Sequence, residues 1–222
     1  MPGFPPSDAA RVAIVTGSHP FDVPALHALF RAMPGIDAYV QHMEDWAADW
    51  GQVRRAYDAT VFYNFHQQNP SGDEPWPGAA VRAAIEDLGA TPKGIVVWHH
   101  ALLAFPRWTT WAGLVGMPER GSGYHPGETL EVRIAAPDHP ILRGVAPFSI
   151  VDESYIAGDP EPGCEALLTT EHPKSMRTLA WTRQHGASRV VCMQLGHDAV
   201  AWGNPGFRET MLRSILWSAG RL

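Results

Sequence analysis

The chain has 222 residues, of which 45% are hydrophobic and 18% are charged, and its formal net charge is −6. This length and apolar content suit one α/β domain with a full hydrophobic core and exclude an extensively disordered protein. Among the 17 Lys and Arg residues only Arg54 and Arg55 are adjacent, so the chain lacks the basic stripe of a nucleic-acid-binding protein.

The N-terminal residues lack the pattern of a secretory signal peptide, and no apolar run approaches the ~20 residues of a membrane helix. The two cysteines, Cys164 and Cys192, form no CxxC motif and lie in apolar, strand-like runs. We therefore expect two buried free thiols in a reducing compartment, a cytoplasmic location and no membrane partner.

The first half of the chain predicts alternating strands and helices. We expect a loose tail over 1–10 and a single domain over 11–222. Strands are predicted at 12–16, 37–41, 59–65 and 94–98. Asp22 is expected to cap the first helix, and Pro77 to lie in the first turn of another. This alternation favours a parallel sheet with helices on both faces.

The second half is richer in strands. Strands are predicted at 130–135, 148–151, 166–169, 178–182 and 189–195. A helix-like stretch ends near Gly116, and a last helix begins at Asn204 and Pro205. The region 130–182 either extends the sheet or forms an antiparallel flap.

Histidines follow four of the predicted strands. In open α/β sheets, ligands bind outside the carboxyl ends of the strands, so these side chains are candidates for one shared crevice. They are His19, His66, the adjacent pair His99 and His100, and His197 with Asp198. For His19 and His66 an exposed loop position is the alternative, and only one of His99 and His100 can face a given site.

Further candidates come from the middle of the chain and from the tryptophans. His139 precedes Pro140, which restricts its backbone, but it also suits a turn-stabilising hydrogen bond. Asp152 and Glu153 follow the run 148–151 and are either site carboxylates or a solvated strand end. Most of the nine tryptophans suit the core, and Trp202 is the one kept as a ligand contact.

Several common catalytic motifs are missing. The sequence has no GxGxxG after the first strand, no P-loop, no GxSxG and no HExxH. A site built from dispersed histidines and carboxylates stays open. It could bind a divalent metal such as Zn, Mn, Fe or Ni, with His100, His197 and Glu153 as candidate ligands, or work as a metal-free acid–base pair.

Four segments of the sequence carry a family resemblance. They are GIVVWHHALLAFPRW (94–108), APDHPILRGVAPFSIVDESY (136–155), LAWTRQHGASRVVCMQLGHD (179–198) and WGNPGFRETMLRSILWSAG (202–220). The combination resembles the ThuA-like (trehalose utilisation) family. The resemblance implies a flavodoxin-like three-layer sandwich with a mostly parallel central sheet, of the class I glutamine amidotransferase-like type.

The resemblance also bears on chemistry. In the amidotransferases a cysteine nucleophile occupies a strand-to-helix elbow. Here that elbow falls at His99 and His100, with neither cysteine near it, so thiolate-dependent glutamine hydrolysis is not expected.

The resemblance implies a small-molecule carbohydrate ligand, and the leading hypothesis is an enzyme acting on a sugar or keto-sugar. His100, His197 and Glu153 would act as acid–base groups or ligands, and Asp198 would orient a histidine. His99, His139 and Asp152 are carried over as ligand-binding positions. The alternative is a non-catalytic carbohydrate-binding or regulatory domain. A homodimer is the assembly that its size favours.

Overall fold

In this computed structural model the structure describes residues 8–50, 52–73, 76–121 and 123–222. The predicted tail over 1–10 is too long at its inner end, because the first strand already begins at Ala10 and the Asp8 carbonyl accepts a hydrogen bond from Arg221 Nη1 (2.9 Å). The remainder of that tail, residues 1–7, lies outside the described residues.

Nine strands form one sheet in the order β2-β1-β3-β4-β9-β8-β7-β5-β6. Their bounds are β1 Ala10–Gly17, β2 Ile36–His42, β3 Ala59–Asn64, β4 Gly94–Trp98, β5 Gly123–Ile134, β6 Phe148–Ile156, β7 Glu165–Thr169, β8 Thr178–His185 and β9 Ser188–Met193. The pairings from β2 to β9 are parallel, and those from β9 outward to β6 are antiparallel. The centre of the sheet is therefore mostly parallel, as predicted, and the strand-rich middle of the chain extends it.

Helices cover both faces of the sheet. They are α1 Val23–Arg31, α2 Met43–Ala48, α3 Gly78–Glu86, α4 Thr109–Val115, α5 Ala199–Trp202 and α6 Pro205–Ser218. One apolar cluster joins α1, α5 and α6 to the sheet, and a second joins α2, α3 and α4 to its other face. Adjacent residues of a strand point to opposite faces, so β1 and β3 are buried along their length and read as continuous apolar runs. None of the described helices is long and apolar enough to span a bilayer.

The helix ends follow the predicted capping chemistry. Asp22 accepts a hydrogen bond from Ala25 N (2.9 Å) at the start of α1, and Asn204 accepts one from Phe207 N (3.1 Å) at the start of α6. Helix α2 was not predicted, because its six residues are too few to show a helical period. The stretch before Gly116 is also divided, with a 3₁₀ turn over His99–Leu103 preceding α4.

Strand β6 is longer than its apolar run indicated. It continues to Ile156, so Asp152 and Glu153 lie inside the strand, not beyond its end as the sequence suggested. Pairing with β5 carries the strand through these polar residues: Glu128 pairs with Asp152, and Tyr124 pairs with Tyr155.

The β5–β6 hairpin bends over the carboxyl ends of the parallel strands. Three strands separate β6 from β9 in the sheet, which in a flat sheet would place them about 19 Å apart. Instead, Gln194 Nε2, just after β9, donates to the Glu153 carbonyl of β6 (2.7 Å). A bulge in β5 between His125 and Glu128 accompanies this curvature. The hairpin thereby forms a wall over the strand ends.

Candidate functional site

A cavity of about 490 Å³ lies where the parallel strands end and the β5–β6 hairpin bends over them. Its volume falls within the range of small-molecule pockets. The lining residues come from the segments after β1, β3, β4 and β9, from 120–124 and from β6. They are His19, Phe65, Gln67, His100, Leu103, Pro106, Arg120, Gly121, Gly123, Tyr124, Glu153, Tyr155 and His197.

His99 occupies the elbow between β4 and the following 3₁₀ turn. Its φ of 54° is in the left-handed region, which a residue other than glycine rarely adopts and which concentrates at functional sites. The side chain is fully buried, and Nδ1 is hydrogen-bonded to the Gln194 carbonyl. Because a carbonyl can only accept, Nδ1 carries the proton and Nε2 faces the remaining partners.

The Nε2 atom of His99 is the centre of a polar network. It lies 2.6 Å from the Tyr155 hydroxyl, 3.0 Å from His197 Nδ1 and 3.5 Å from a Glu153 carboxylate oxygen. Glu153 is also 3.6 Å from His197 Nδ1. Two imidazoles, a phenol and a carboxylate thus meet within hydrogen-bonding or ion-pair distance, which suits proton transfer.

Glu153 provides the only carboxylate among the described residues that line the cavity. Burial on its own would raise the pKa of Glu153, but hydrogen bonds and charge interactions with His99, His197 and Tyr155 outweigh it and lower that pKa below its usual value. Burial and the neighbouring carboxylate raise the pKa of Tyr155 well above that of free tyrosine, so the hydroxyl keeps its proton. At neutral pH the cavity therefore contains an ionised Glu153 beside a protonated phenol.

His100 and His19 present ring nitrogens that have no protein partner. His100 is 2% exposed, and its Nε2 donates to the Tyr63 carbonyl (3.2 Å), which leaves the Nδ1 lone pair buried and unpaired. Nδ1 of His19 is likewise buried without a hydrogen bond, and the two rings stack with centroids 4.2 Å apart. Burial lowers the pKa of both histidines, so both rings are neutral at pH 7 and able to act as ligands.

Two overlapping triads have the spacing of a metal site. In the described residues, ligand atoms of His19, His100 and His197 lie within 4.8 Å of one another, as do those of His99, Glu153 and His197. In the second triad the groups already bond to one another and to Tyr155. The first triad has free lone pairs on His19 and His100, and three imidazoles with an open position suit a catalytic zinc or a similar divalent ion. The sequence-based metal candidates are therefore divided between the triads: His100 belongs to the first, Glu153 to the second and His197 to both.

Asp152 holds the loop that carries His197. Its carboxylate is 3% exposed and accepts backbone N–H hydrogen bonds from Gly196, from His197 (2.9 Å) and from Glu153 (2.9 Å). Tyr63 adds a hydrogen bond from its hydroxyl to the His197 carbonyl (2.6 Å). Asp152 does not line the cavity, so the position proposed as ligand-binding instead fixes the backbone around His197.

Asp198 does not orient a histidine as the sequence suggested. It is exposed, and its carboxylate accepts from Val200 N (2.9 Å) and Ala201 N (3.2 Å) as the N-cap of α5. Its charge lies at the end of a four-residue helix, where it stabilises the fold and not the reacting groups.

Three other predicted positions lie outside the cavity lining. His66 has its ring 6.1 Å from that of His42 and stacks on Phe105. His139 accepts from Ile141 N (3.2 Å) in a turn and packs against Trp217, which is the turn-stabilising alternative. Trp202 is 3% exposed and donates to the Gly196 carbonyl (2.9 Å), so it belongs to the core.

Sequence reasoning missed Tyr155 and Arg120. Tyr155 was visible as the last residue of the DE.Y motif, two positions from Glu153, a spacing that places both on one face of a strand. Arg120 lies in a loop with no motif around it, and no pattern in the sequence marks it. Its position at the cavity results from the folding of the segment between α4 and β5.

Both cysteines are free and away from the elbow. Cys192 is buried in β9, while Cys164 is half-buried, less than we expected. Burial raises the pKa of each thiol, which opposes thiolate formation. Neither lines the cavity, in keeping with an elbow occupied by His99.

The sheet order, the helices on both faces and the elbow after β4 define a class I glutamine amidotransferase-like α/β protein. The family model for ThuA, trehalose utilisation, matches residues 11–218. The chain therefore belongs to the ThuA family. No curated protein matches its sequence.

Solved structures share the fold at low sequence identity. A ThuA-like protein from Parabacteroides merdae superposes with a TM-score of 0.74 and 17% identity over 95% of this chain and 90% of that one. A cytoplasmic protein from Salmonella typhimurium gives 0.65 and 12%, over 93% and 98%. A protein from Thermoplasma acidophilum, named for GMP synthase, gives 0.57 and 11%, over 96% and 95%. These likenesses establish the fold alone.

Proposed function

We propose that this protein is a cytoplasmic sugar-utilisation enzyme that acts on a keto-sugar, with a divalent metal bound by His19, His100 and His197 and Glu153 as its base. The observation that carries the proposal is the meeting, in one cavity, of unpaired imidazole nitrogens and an ionised carboxylate. Membership of the trehalose-utilisation family supports a carbohydrate substrate.

The keto group makes the neighbouring C–H bond acidic, so proton abstraction is the natural reaction for this site. A metal on the three histidines would polarise the carbonyl oxygen as a Lewis acid. The Glu153 carboxylate takes the proton, and the C–H electron pair becomes the enolate. The proton then returns to a neighbouring carbon, which isomerises the sugar, or reaches the glycosidic oxygen as its C–O bond breaks.

Residues around Glu153 hold it in place for this task. His99 lies 3.5 Å from the carboxylate and is itself fixed by the Gln194 carbonyl and by Tyr155. His99 thus acts as a positioning residue, and its Nε2 can receive or release a proton as the charge on Glu153 changes. His197, whose side chain is 27% exposed, connects this network to the cavity.

Turnover of a keto-trehalose by the wild type and by Glu153→Gln tests the proposal. We expect the variant to lose at least about a hundredfold in kcat, because the amide cannot accept the proton. Glu131→Gln, a matched change at an exposed position of β5, should leave kcat unaltered. Full activity in Glu153→Gln would contradict the assignment.

The second candidate is a non-catalytic carbohydrate-binding domain. It is favoured by the three backbone hydrogen bonds to Asp152, which make the loop carrying His197 rigid in the way a binding site requires. A wild-type protein that binds the keto-sugar without turning it over, and without metal, would support this candidate.

A further inference from the structure

Arg120 lines the same cavity as Glu153 and is 9% exposed. Its Nη1 and Nη2 atoms donate to the carbonyl oxygens of Ala104 and Phe105, the latter at 2.7 Å. These two contacts fix the plane of the guanidinium. Nε is buried without a partner, and each Nη keeps a second hydrogen, so part of its donor capacity is unused.

No carboxylate neutralises this cation in the described part of the chain. Arg120 takes part in none of the ion pairs there, although eight other basic side chains, Arg and Lys, and three histidines do. Burial alone lowers its pKa to about 10, with no opposing contribution from an acid. Even with that shift the guanidinium stays charged at neutral pH.

A buried charge without a partner is costly to fold, so proteins usually pair it. Backbone carbonyls offset part of the desolvation cost, but they leave the net charge in place. Arg120 is also the only permanently charged cation among the described residues lining the cavity, where the histidines His19 and His100 are neutral. An anionic ligand group would complete the pairing, and guanidinium suits carboxylate and phosphate especially well.

We infer that the natural substrate is a sugar that carries an anionic substituent, a carboxylate or a phosphate, and that Arg120 binds this group while the sugar ring lies toward Glu153. This inference rests on the proposed function for the sugar, whereas the anion subsite rests on Arg120 alone. The cavity volume of about 490 Å³ accommodates a substituted sugar.

Calorimetric titration of the wild type with glucose, glucuronate, glucose 6-phosphate and inorganic phosphate tests the inference. The unoxidised sugars serve as unreactive probes, so affinity is measured apart from turnover. We expect at least one anionic sugar to bind about tenfold or more tightly than glucose, since a hydrogen bond to a charged group contributes that much. The better of the two distinguishes a carboxylate from a phosphate. Equal affinity for glucose and both anionic sugars would overturn the inference.

Variants assign the effect to the side chain. Arg120→Met should remove the preference for the anionic sugar, while Arg31→Met, the same charge change on the exposed end of α1, should keep it. Arg120→Lys retains the charge and should preserve part of the preference if the methionine variant fails to fold. An unchanged preference in a folded Arg120→Met protein would contradict the inference.

The sugar-free probe separates this inference from the proposed function. Phosphate binding that depends on Arg120, together with no binding of any sugar, would support the anion subsite and contradict the sugar enzyme. Glu153-dependent turnover of a neutral keto-sugar, with no anion preference, would support the enzyme and overturn the anion subsite.

Discussion

At the scale of single residues, His99 combines a left-handed backbone, complete burial and four polar neighbours. Such a backbone costs on the order of 1–3 kcal/mol, so the surrounding contacts must hold it. Tyr155 contributes the shortest side-chain contact, 2.6 Å to Nε2. The elbow is therefore occupied by an imidazole whose position and proton are set by its neighbours.

Removing the Tyr155 hydroxyl should weaken this control. For Tyr155→Phe we expect kcat on a keto-trehalose to fall by about ten- to a hundredfold, because a positioned proton donor is lost. The ring would still pack against His99, so the free energy of unfolding should change by only about 1 kcal/mol. Tyr57→Phe, which loses a contact with Gln41 away from the cavity, is the control and should keep its kcat. Equal kcat in both variants would contradict the role of Tyr155.

At the scale of elements, the site depends on the loop between β9 and α5, which Asp152 ties to β6. Sequence reasoning gave Asp198 the catalytic role and Asp152 a ligand contact, because side-chain direction at neighbouring positions is not visible in a linear pattern. The hydrogen bonds assign Asp198 to a helix cap and Asp152 to three buried backbone donors.

Asparagine substitutions should separate these two carboxylates. Asp152→Asn exchanges one acceptor oxygen for an NH₂ group facing a buried N–H, so we expect about 1–3 kcal/mol of lost stability in urea unfolding. Asp198→Asn should alter stability by less than about 0.5 kcal/mol, since asparagine is an equally good N-cap. A larger loss for Asp198→Asn would contradict these assignments.

Gly196 shows why this loop needs a glycine. Its φ is 102°, and a Cβ there would collide with the rings of Trp98 and Phe207. The close approach is thus to the protein's own core, whereas the sequence suggested a ligand. We expect Gly196→Ala to cost at least about 2 kcal/mol by denaturant unfolding, from strain plus overpacking.

Gly35 provides the matched control for that glycine. It has a φ of 75° with open space around it, so Gly35→Ala should cost only about 1 kcal/mol. Similar losses in the two variants would mean that the packing contact of Gly196 has little effect.

At the scale of the whole molecule, several histidines are held neutral by burial. Burial lowers the pKa of His66 to about 4 and lowers that of His139 and His185 below the usual value. Between pH 6.5 and about 4 the unfolded chain therefore binds more protons than the folded one, and stability falls as the pH falls.

Urea unfolding at a series of pH values, with EDTA present to remove metal effects, should show this loss of stability. Above pH 6.5 the contribution should be complete, because both states are then deprotonated. His66→Asn should reduce the slope across the window. An unchanged slope in that variant would contradict a neutral His66 in the folded protein.

The parallel half of the fold was predictable because its signals are local. Continuous apolar runs marked β1, β3 and β4, and the residues after them were expected to meet at one edge of the sheet. His19, His100 and His197 do line one cavity. His66 turns instead toward His42 and Phe105, a choice that depends on which side of the strand end it occupies.

The antiparallel half depends on contacts that are distant in sequence. Glu153 reaches the cavity only because the β5–β6 hairpin bends over the strand ends, and no local pattern encodes that bend. Arg120 is in the same position, brought to the cavity by a loop whose course is set by tertiary packing.

The most direct test of the central claim is the metal content of wild-type protein purified without affinity tag or chelator, and again after exposure to Zn, Mn, Fe or Ni. We predict about one divalent ion per chain. The ion should be lost in His100→Ala/His197→Ala and retained in His66→Ala, a histidine outside both triads. A wild type that binds no metal under either condition, or a double variant that retains it fully, would contradict the metal-assisted site.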